Sequence, residues 1–181
     1  MKMPSLTHIL VLALSALRPL AAAAPSTSPA SALAKRADYH PVSSKGEADY
    51  CGEAVPGYTT NEHSPLAADC QQIARDHPGP GYWRVGAAET AAAGRDGWVR
   101  LAQSGSCAFE VNLDLYYDGQ EVVDYKFGTN DLGFYIRSHA NPNEPKLPGR
   151  VEVHSSVYCS TSRQKDEEGQ MVFVFWRVTR A

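Results

Sequence analysis

Apolar residues recur at helical spacing in one segment of the chain, Ser64–Asp76. They form a single stripe, which is typical of a helix that packs on one side: Leu66, Ala67, Cys70, Ile73 and Ala74. Ser64 is placed to cap the first turn, because its hydroxyl can accept a bond from a free backbone N–H, and Pro65 suits the first helical position. The prolines and glycines of residues 77–81 then end the helix. The pattern predicts a short helix whose buried face carries Cys70.

Apolar and polar residues alternate in Cys107–Leu113, which predicts a strand. Its odd-numbered residues are expected to face the core, while Glu110 and Asn112 face a wetter side. Met171–Val178 is apolar on both faces, so we expect it at the centre of the sheet. Further strand patterns occur in Tyr82–Val85, Gly97–Ala102, Glu121–Phe127 and Val151–Cys159.

A second helix is predicted after Gly128, with Thr129 or Asn130 as its cap. Its apolar stripe consists of Leu132, Tyr135, Ile136 and His139. Ala87–Gly94 is short and flanked by glycines, so we expect a loop there. Two short helices and about six strands do not alternate regularly, which disfavours a doubly wound parallel sheet. The prediction is an α+β domain with a mainly antiparallel sheet and two short helices packed on it.

The N-terminal region has the features of a leader. The apolar run Ile9–Leu17 is too short for a membrane span, and the small residues at 21–24 suit a cleavage site. We interpret residues 1–23 as a signal peptide, with a buried N-terminal helix as the alternative. Residues 24–36, mostly Ala, Ser, Pro and Thr, are expected to be a disordered pro-segment. We therefore expect a secreted, extracellular protein.

The pro-segment ends in a dibasic pair, Lys35 and Arg36. We interpret the pair as a pro-peptide cleavage site, and two solvated charges in a linker are the alternative. Cleavage there would begin the mature chain at Ala37, followed by an irregular lead-in over residues 37–50 and the folded domain over residues 51–181. It would remove four of the 17 basic residues and no acid, leaving 13 against 20 and a net charge of about −7. Such an acidic domain disfavours nucleic acid or an anionic membrane as partner.

The chain has four cysteines, Cys51, Cys70, Cys107 and Cys159. An even number after a signal peptide is typical of two disulfides. Three connectivities are possible, and we favour the nested pairing of Cys70 with Cys107 and of Cys51 with Cys159. Metal binding is the alternative, but no pair of Cys and His residues has the spacing of a zinc site.

Candidate catalytic residues are scattered and follow no known motif. The best arrangement for a secreted ribonuclease combines Glu110 and His154, both on predicted strands, with Arg84 and Arg100. The favoured interpretation is that these are solvated strand positions. We therefore assign no catalytic, cofactor-binding or metal-binding residues and expect no cofactor.

The aromatic residues allow a sugar-binding interpretation through ring stacking. The candidates are Trp83, Trp98, Tyr116, Tyr117 and Trp176. Core packing is favoured for Trp83 and Trp176, whereas Tyr116 and Tyr117 adjoin a turn and are expected to be exposed.

Several short segments together resemble a known family. They are Cys51-Gly52, Ser64-Pro65, Asp69-Cys70 with Ile73, Gly105–Phe109 with Val111, Gly128–Leu132 with Ile136, Cys159, and Val174–Trp176. This pattern, which spans Cys51–Val178, resembles the fungal extracellular-protein-two effector domain, also named the putative necrosis-inducing factor domain. The resemblance implies a small secreted fungal protein that elicits host cell death. It supplies no catalytic motif.

The expected function is that of a non-enzymatic effector acting on host cells. A secreted nuclease-like hydrolase and an antimicrobial protein resembling killer toxins are the alternatives. We expect the partner to be a host protein or cell-surface component of unknown identity, with no nucleic acid and no membrane span, and the protein to be a monomer.

Overall fold

The structure, a computed structural model, describes residues 37–113, 124–141, 147–161 and 171–181. The strands are β1 (Tyr39–Pro41), β2 (Gly57–Tyr58), β3 (Gly81–Val85), β4 (Val99–Ser104), β5 (Cys107–Leu113), β6 (Tyr125–Gly128), β7 (Val153–Ser160) and β8 (Met171–Arg180). The helices are α1 (Ala67–Asp76), α2 (Ala87–Ala92) and α3 (Thr129–His139), with one 3-10 turn at Lys45–Ala48.

The strands form two antiparallel sheets, one with the order β2-β7-β8-β5-β4 and one with the order β1-β3-β6. The predicted α+β class is confirmed, and β8 occupies the centre of the larger sheet as its apolar pattern predicts. The division into two sheets was not predicted, because strand pairing depends on residues far apart in the chain.

The core lies between the inner face of the five-stranded sheet and the helices α1 and α3. Trp176 of β8 is fully buried and stacks against Tyr135 of α3 at 4.7 Å and Phe109 of β5 at 5.8 Å between ring centroids. Trp83 is also buried, so the core assignment of both tryptophans is confirmed. Helix α1 packs on β4 and β5, with Ala67, Cys70 and Ile73 buried as predicted.

The start of α1 differs from the prediction. Leu66, not Ser64, precedes the first helical residue, and it makes no side-chain cap bond. Ser64 is buried instead, where its hydroxyl donates to Glu152 Oε2 at 2.8 Å and accepts from the Asn61 N–H at 2.9 Å. Leu66 is exposed rather than part of the stripe, since its N–H bonds to the Ser106 hydroxyl and its backbone bridges to Arg150. Tertiary contacts therefore override the local capping pattern.

Two other local predictions were wrong. Ala87–Gly94 begins with helix α2, whose first turn is closed by Glu89 accepting from the Gly86 N–H and Thr90 donating to the Gly86 carbonyl. Helix α3 is capped by Asp131, which accepts from the Gly128 N–H at 3.0 Å. The side chains of the two predicted caps bond elsewhere. Thr129 bonds to the backbone of Gly79 and Gly81, and Asn130 donates to the Lys45 carbonyl.

Two disulfides connect the elements. Cys70 on α1 joins Cys107 on β5, and Cys51 joins Cys159 on β7, which is the nested pairing that the sequence analysis favoured. A second tie holds α1 to the β4–β5 turn, because Asp69 accepts from both the N–H and the hydroxyl of Ser106 at 2.7 Å. These two bonds lower the pKa of the Asp69 carboxyl.

Several predictions lie outside the described residues. They concern the leader and pro-segment over residues 1–36, including Lys35 and Arg36, the beginning of the strand predicted from Glu121, and the exposure of Tyr116 and Tyr117. Within the part of the chain that is described, no helix is both long and apolar enough to cross a bilayer.

Candidate contact surface on the five-stranded sheet

The five-stranded sheet has an outer face, opposite to the helices, that carries its polar and exposed side chains. Alternation along β7 and β8 sends valines and Trp176 to the core and every second residue outward. This outer face consists of Glu110, Asn112, His154, Ser156, Tyr158, Phe173, Phe175 and Arg177, with Arg100 from β4.

A row of charged residues crosses this face. Glu110 lies directly opposite Arg100 on one side and Arg177 on the other. Arg100 donates to Glu110 Oε1 at 2.9 and 3.1 Å, and Arg177 donates to Oε2 at 2.6 and 2.8 Å. Glu110 lies on the outer face as predicted, but the prediction that it is solvated is wrong, since only 5% of the residue is exposed. The two guanidiniums cover the carboxylate and compensate for its burial.

Trp98 covers one end of the charged row. The Arg177 guanidinium lies 4.0 Å from the centre of the Trp98 ring, within the range of a cation–π contact. The turn before Trp98 requires a glycine, because Gly97 has a φ of +64°. Asn112 holds this turn against the sheet by donating to the Asp96 carbonyl at 2.9 Å. Trp98 is therefore a fixed part of the outer face.

Exposed aromatic residues form a strip beside the charged row. The ring of Phe173 lies 5.1 Å from that of Tyr158 and 5.4 Å from that of Phe175. Tyr158 is 51% exposed and Phe175 36%. Exposed aromatic residues in contact with one another are typical of binding surfaces.

A groove of about 230 Å³ lies where the charged row meets the aromatic strip. Trp98, Phe175, Arg177, His154, Glu152 and Thr59 contribute to its lining. We call it the Trp98 groove. The His154 ring lies over Gly57 at the rim of the groove. A side chain at that position would crowd it, because a Cβ built at Gly57 would lie 2.9 Å from the imidazole Nε2. The groove thus combines two aromatic rings with several hydrogen-bonding groups.

The structure brings together three of the four residues considered for a ribonuclease. Glu110 and His154 lie on either side of Arg177, and Arg100 joins Glu110. Arg84 lies on the other sheet, where it pairs with Asp124. Sequence reasoning missed Arg177 and Phe175, although their alternation with Trp176 placed them on the outer face. In residues 37–113, 124–141, 147–161 and 171–181, no group of three or more His, Cys, Asp or Glu is arranged to hold a metal ion.

A second polar site joins α3 to the backbone of Tyr50 and Cys51. Asp131 accepts from the backbone N–H groups of Tyr50 at 2.9 Å, Cys51 at 3.2 Å and Gly128 at 3.0 Å. Burial, together with a side-chain hydrogen bond to Asp49, raises the pKa of Asp131 to about 7. The site lies beside the Cys51–Cys159 bridge, so it contributes to the anchoring of the N-terminal segment.

We expect Asp131 to contribute less to the stability of the domain as the pH rises from 4 to 7. The folded-state pKa of Asp131 is above its unfolded value of 3.8, so the native state binds this proton more tightly. Its contribution is present below pH 3.8 and is lost as the pH passes through the folded pKa. Asp131 lines an open pocket, so solvent screening should reduce the effect to ~1–2 kcal/mol. Denaturant unfolding at several pH values would measure it, and Asp131→Asn should flatten the profile over this range. An unchanged profile in the variant would contradict the assignment.

Comparison with known proteins identifies the family. No curated protein matches the sequence. The model of the Hce2 family, described as "Pathogen effector; putative necrosis-inducing factor", matches residues 50–159. This range contains all four cysteines, α1 and α3, and it ends before β8, whereas the resemblance in the sequence extended to Val178. The match covers more than half of the chain and confirms the predicted family, so the protein belongs to the Hce2 family of pathogen effectors.

Proposed function

We propose that this protein is a secreted fungal effector that acts on host cells by contact and elicits their death. Membership of the Hce2 family is the observation that carries the proposal. Two disulfides are consistent with an oxidising, extracellular compartment. The exposed aromatic residues of the outer face provide a surface suited to a partner.

The proposal includes export and processing of the leader. Residues 1–23 would direct export, and cleavage after Lys35-Arg36 would begin the mature protein at Ala37. Ala37 is only 5% exposed and belongs to the hydrophobic core, and β1 pairs with β3 two residues later. The folded domain would thus begin immediately after the cleavage site. N-terminal sequencing of the protein from the culture medium tests the cleavage. A secreted chain that still carries residues 24–36 would contradict it.

Leaf infiltration tests the effector activity. The full chain is expressed in a secreting host, and the protein recovered from the medium is infiltrated into leaves of several plant species. We expect necrosis with the oxidised protein and none after reduction and alkylation of its disulfides. Folded protein that causes no response in any host would overturn the proposal. Inhibition of fungal growth without necrosis would instead favour the antimicrobial alternative.

The charged row is the observation that favours a hydrolase as second candidate. Glu110 and His154 share one face, as acid–base catalysis would require. Both carboxylate oxygens of Glu110 are, however, engaged by arginines, which supports a structural role. Turnover assays with RNA and polysaccharides distinguish the two functions. Activity that His154→Ala abolishes without loss of stability would favour the hydrolase.

A further inference from the structure

We propose that the Trp98 groove binds a neutral pyranose unit of a cell-surface glycan. The inference rests on the proposed function, because it names the chemistry that the protein would contact on its target cell. A pyranose has an apolar face of C–H groups and a rim of hydroxyls. A site for it therefore needs an aromatic surface together with hydrogen-bonding groups around that surface.

The aromatic surface comes from Phe175 and Trp98. Phe175 is 36% exposed although it belongs to the central strand β8, so the fold leaves its ring available in the groove. Trp98 lines the same groove, and Arg177 stacks on its indole ring. The Phe175 ring, which contacts Phe173 at 5.4 Å between centroids, can bind the apolar face of a sugar, and Trp98 forms a second wall of the groove.

Hydrogen-bonding groups surround these rings. Glu152 accepts the Ser64 hydroxyl through Oε2, and its Oε1 has no partner among the residues described. His154 is exposed and its ring nitrogens likewise make no hydrogen bond within that part of the chain. Thr59 adds a hydroxyl at the edge. These groups include acceptors and donors, which suits the hydroxyls of a sugar.

Charge favours a neutral ligand over a phosphate or sulfate. The only arginine that lines the groove in the described residues, Arg177, is already paired with Glu110. Glu152 adds a negative charge at the opposite side. An anionic ligand would therefore meet no uncompensated arginine or lysine in the lining and would be repelled by Glu152.

A binding experiment with the full-chain protein secreted into the medium tests the inference. The neutral probes are the hexasaccharides of cellulose, xylan, laminarin, mannan and chitin, and the anionic probes are oligogalacturonate and heparin. Tryptophan fluorescence and calorimetry would follow the titrations. We expect saturable binding of at least one neutral probe below roughly 10 mM, and no specific binding of the anionic probes.

Phe175→Ala should weaken this binding about tenfold or more, because it removes the stacking surface. Phe134→Ala is the matched control, since Phe134 is an exposed phenylalanine on α3 and does not line the groove. Gly57→Ala should also weaken binding, because the added Cβ displaces the His154 ring. Circular dichroism and thermal unfolding would show that each variant is folded.

Three outcomes would overturn the inference. They are no binding of any neutral probe, equal affinity in folded Phe175→Ala and Phe134→Ala, and preference for the anionic probes. Necrosis by a protein that binds no glycan would overturn the groove assignment alone. Glycan binding by a protein that harms no host cell would overturn the proposed effector activity and leave the groove assignment standing.

Discussion

Replacing Cys51 and Cys159 together by alanine is expected to lower the free energy of unfolding by about 4–5 kcal/mol. This bridge closes a separation of 108 residues, compared with 37 residues for the Cys70–Cys107 bridge. A crosslink stabilises mainly by restricting the unfolded chain, and the restriction grows with the logarithm of the separation. The corresponding loss for Cys70→Ala/Cys107→Ala is therefore ~4 kcal/mol, about 1 kcal/mol less.

Denaturant unfolding of the secreted protein would measure both losses. Each variant removes a complete bridge, so that no odd thiol remains to pair with another chain. The single variant Cys70→Ala, which does leave such a thiol at Cys107, should in addition lower the secreted yield severely. A smaller loss for the Cys51–Cys159 bridge than for the Cys70–Cys107 bridge would contradict the entropic argument.

Glu110→Gln is expected to lower the free energy of unfolding by about 2–4 kcal/mol. The substitution leaves the guanidiniums of Arg100 and Arg177 facing a neutral side chain that replaces their shared carboxylate. Removing one partner from a fully buried ion pair costs roughly 3–5 kcal/mol. The value here is lower, because the side chains of Arg100 and Arg177 are 25% and 35% exposed and water compensates part of the lost interaction.

Asp124→Asn is the matched control for this prediction. Asp124, which lies just before β6, also pairs with an arginine, but its partner Arg84 is 59% exposed, so the loss should be much smaller than for Glu110→Gln. Replacing Arg100 together with Glu110 should cost less than the sum of the two single replacements. In the double variant only Arg177 loses its partner, whereas Glu110→Gln alone leaves both arginines without one. Equal losses for Glu110→Gln and Asp124→Asn would show that the charged row is not a stabilising unit.

Patterns with a short repeat were predicted well from the sequence, and features that depend on distant residues were not. The alternation of Cys107–Leu113 and the helical stripe of Ala67, Cys70 and Ile73 reflect local geometry, and both are confirmed. The predictions of Ser64 as a cap and of Glu110 as a solvated residue were wrong because their partners, Glu152 and Arg177, lie 88 and 67 residues away. Glu152 binds the Ser64 hydroxyl, which therefore does not cap the helix, and the arginines cover the Glu110 carboxylate.

The candidate site was only partly visible in the sequence. Sugar binding by an aromatic residue was considered for Trp98, but not for Phe175, because Met171–Val178 was predicted as a strand apolar on both faces. The structure shows that one face of β8 contacts the core and the other carries Phe173 and Phe175 toward solvent. The groove is lined by Trp98, which precedes β4, and by residues of β7 and β8. Predicting that these segments lie close together would have required the strand order.

The central position of β8 has a consequence for biosynthesis. β8 leaves the ribosome after both of its neighbours, β5 and β7, have been made. Neither neighbour can complete its backbone hydrogen bonding until β8 arrives, so the five-stranded sheet cannot close while its earlier strands are being made. A nascent chain that stalls before Met171 would leave β5 and β7 each with an unpaired edge that is open to other chains.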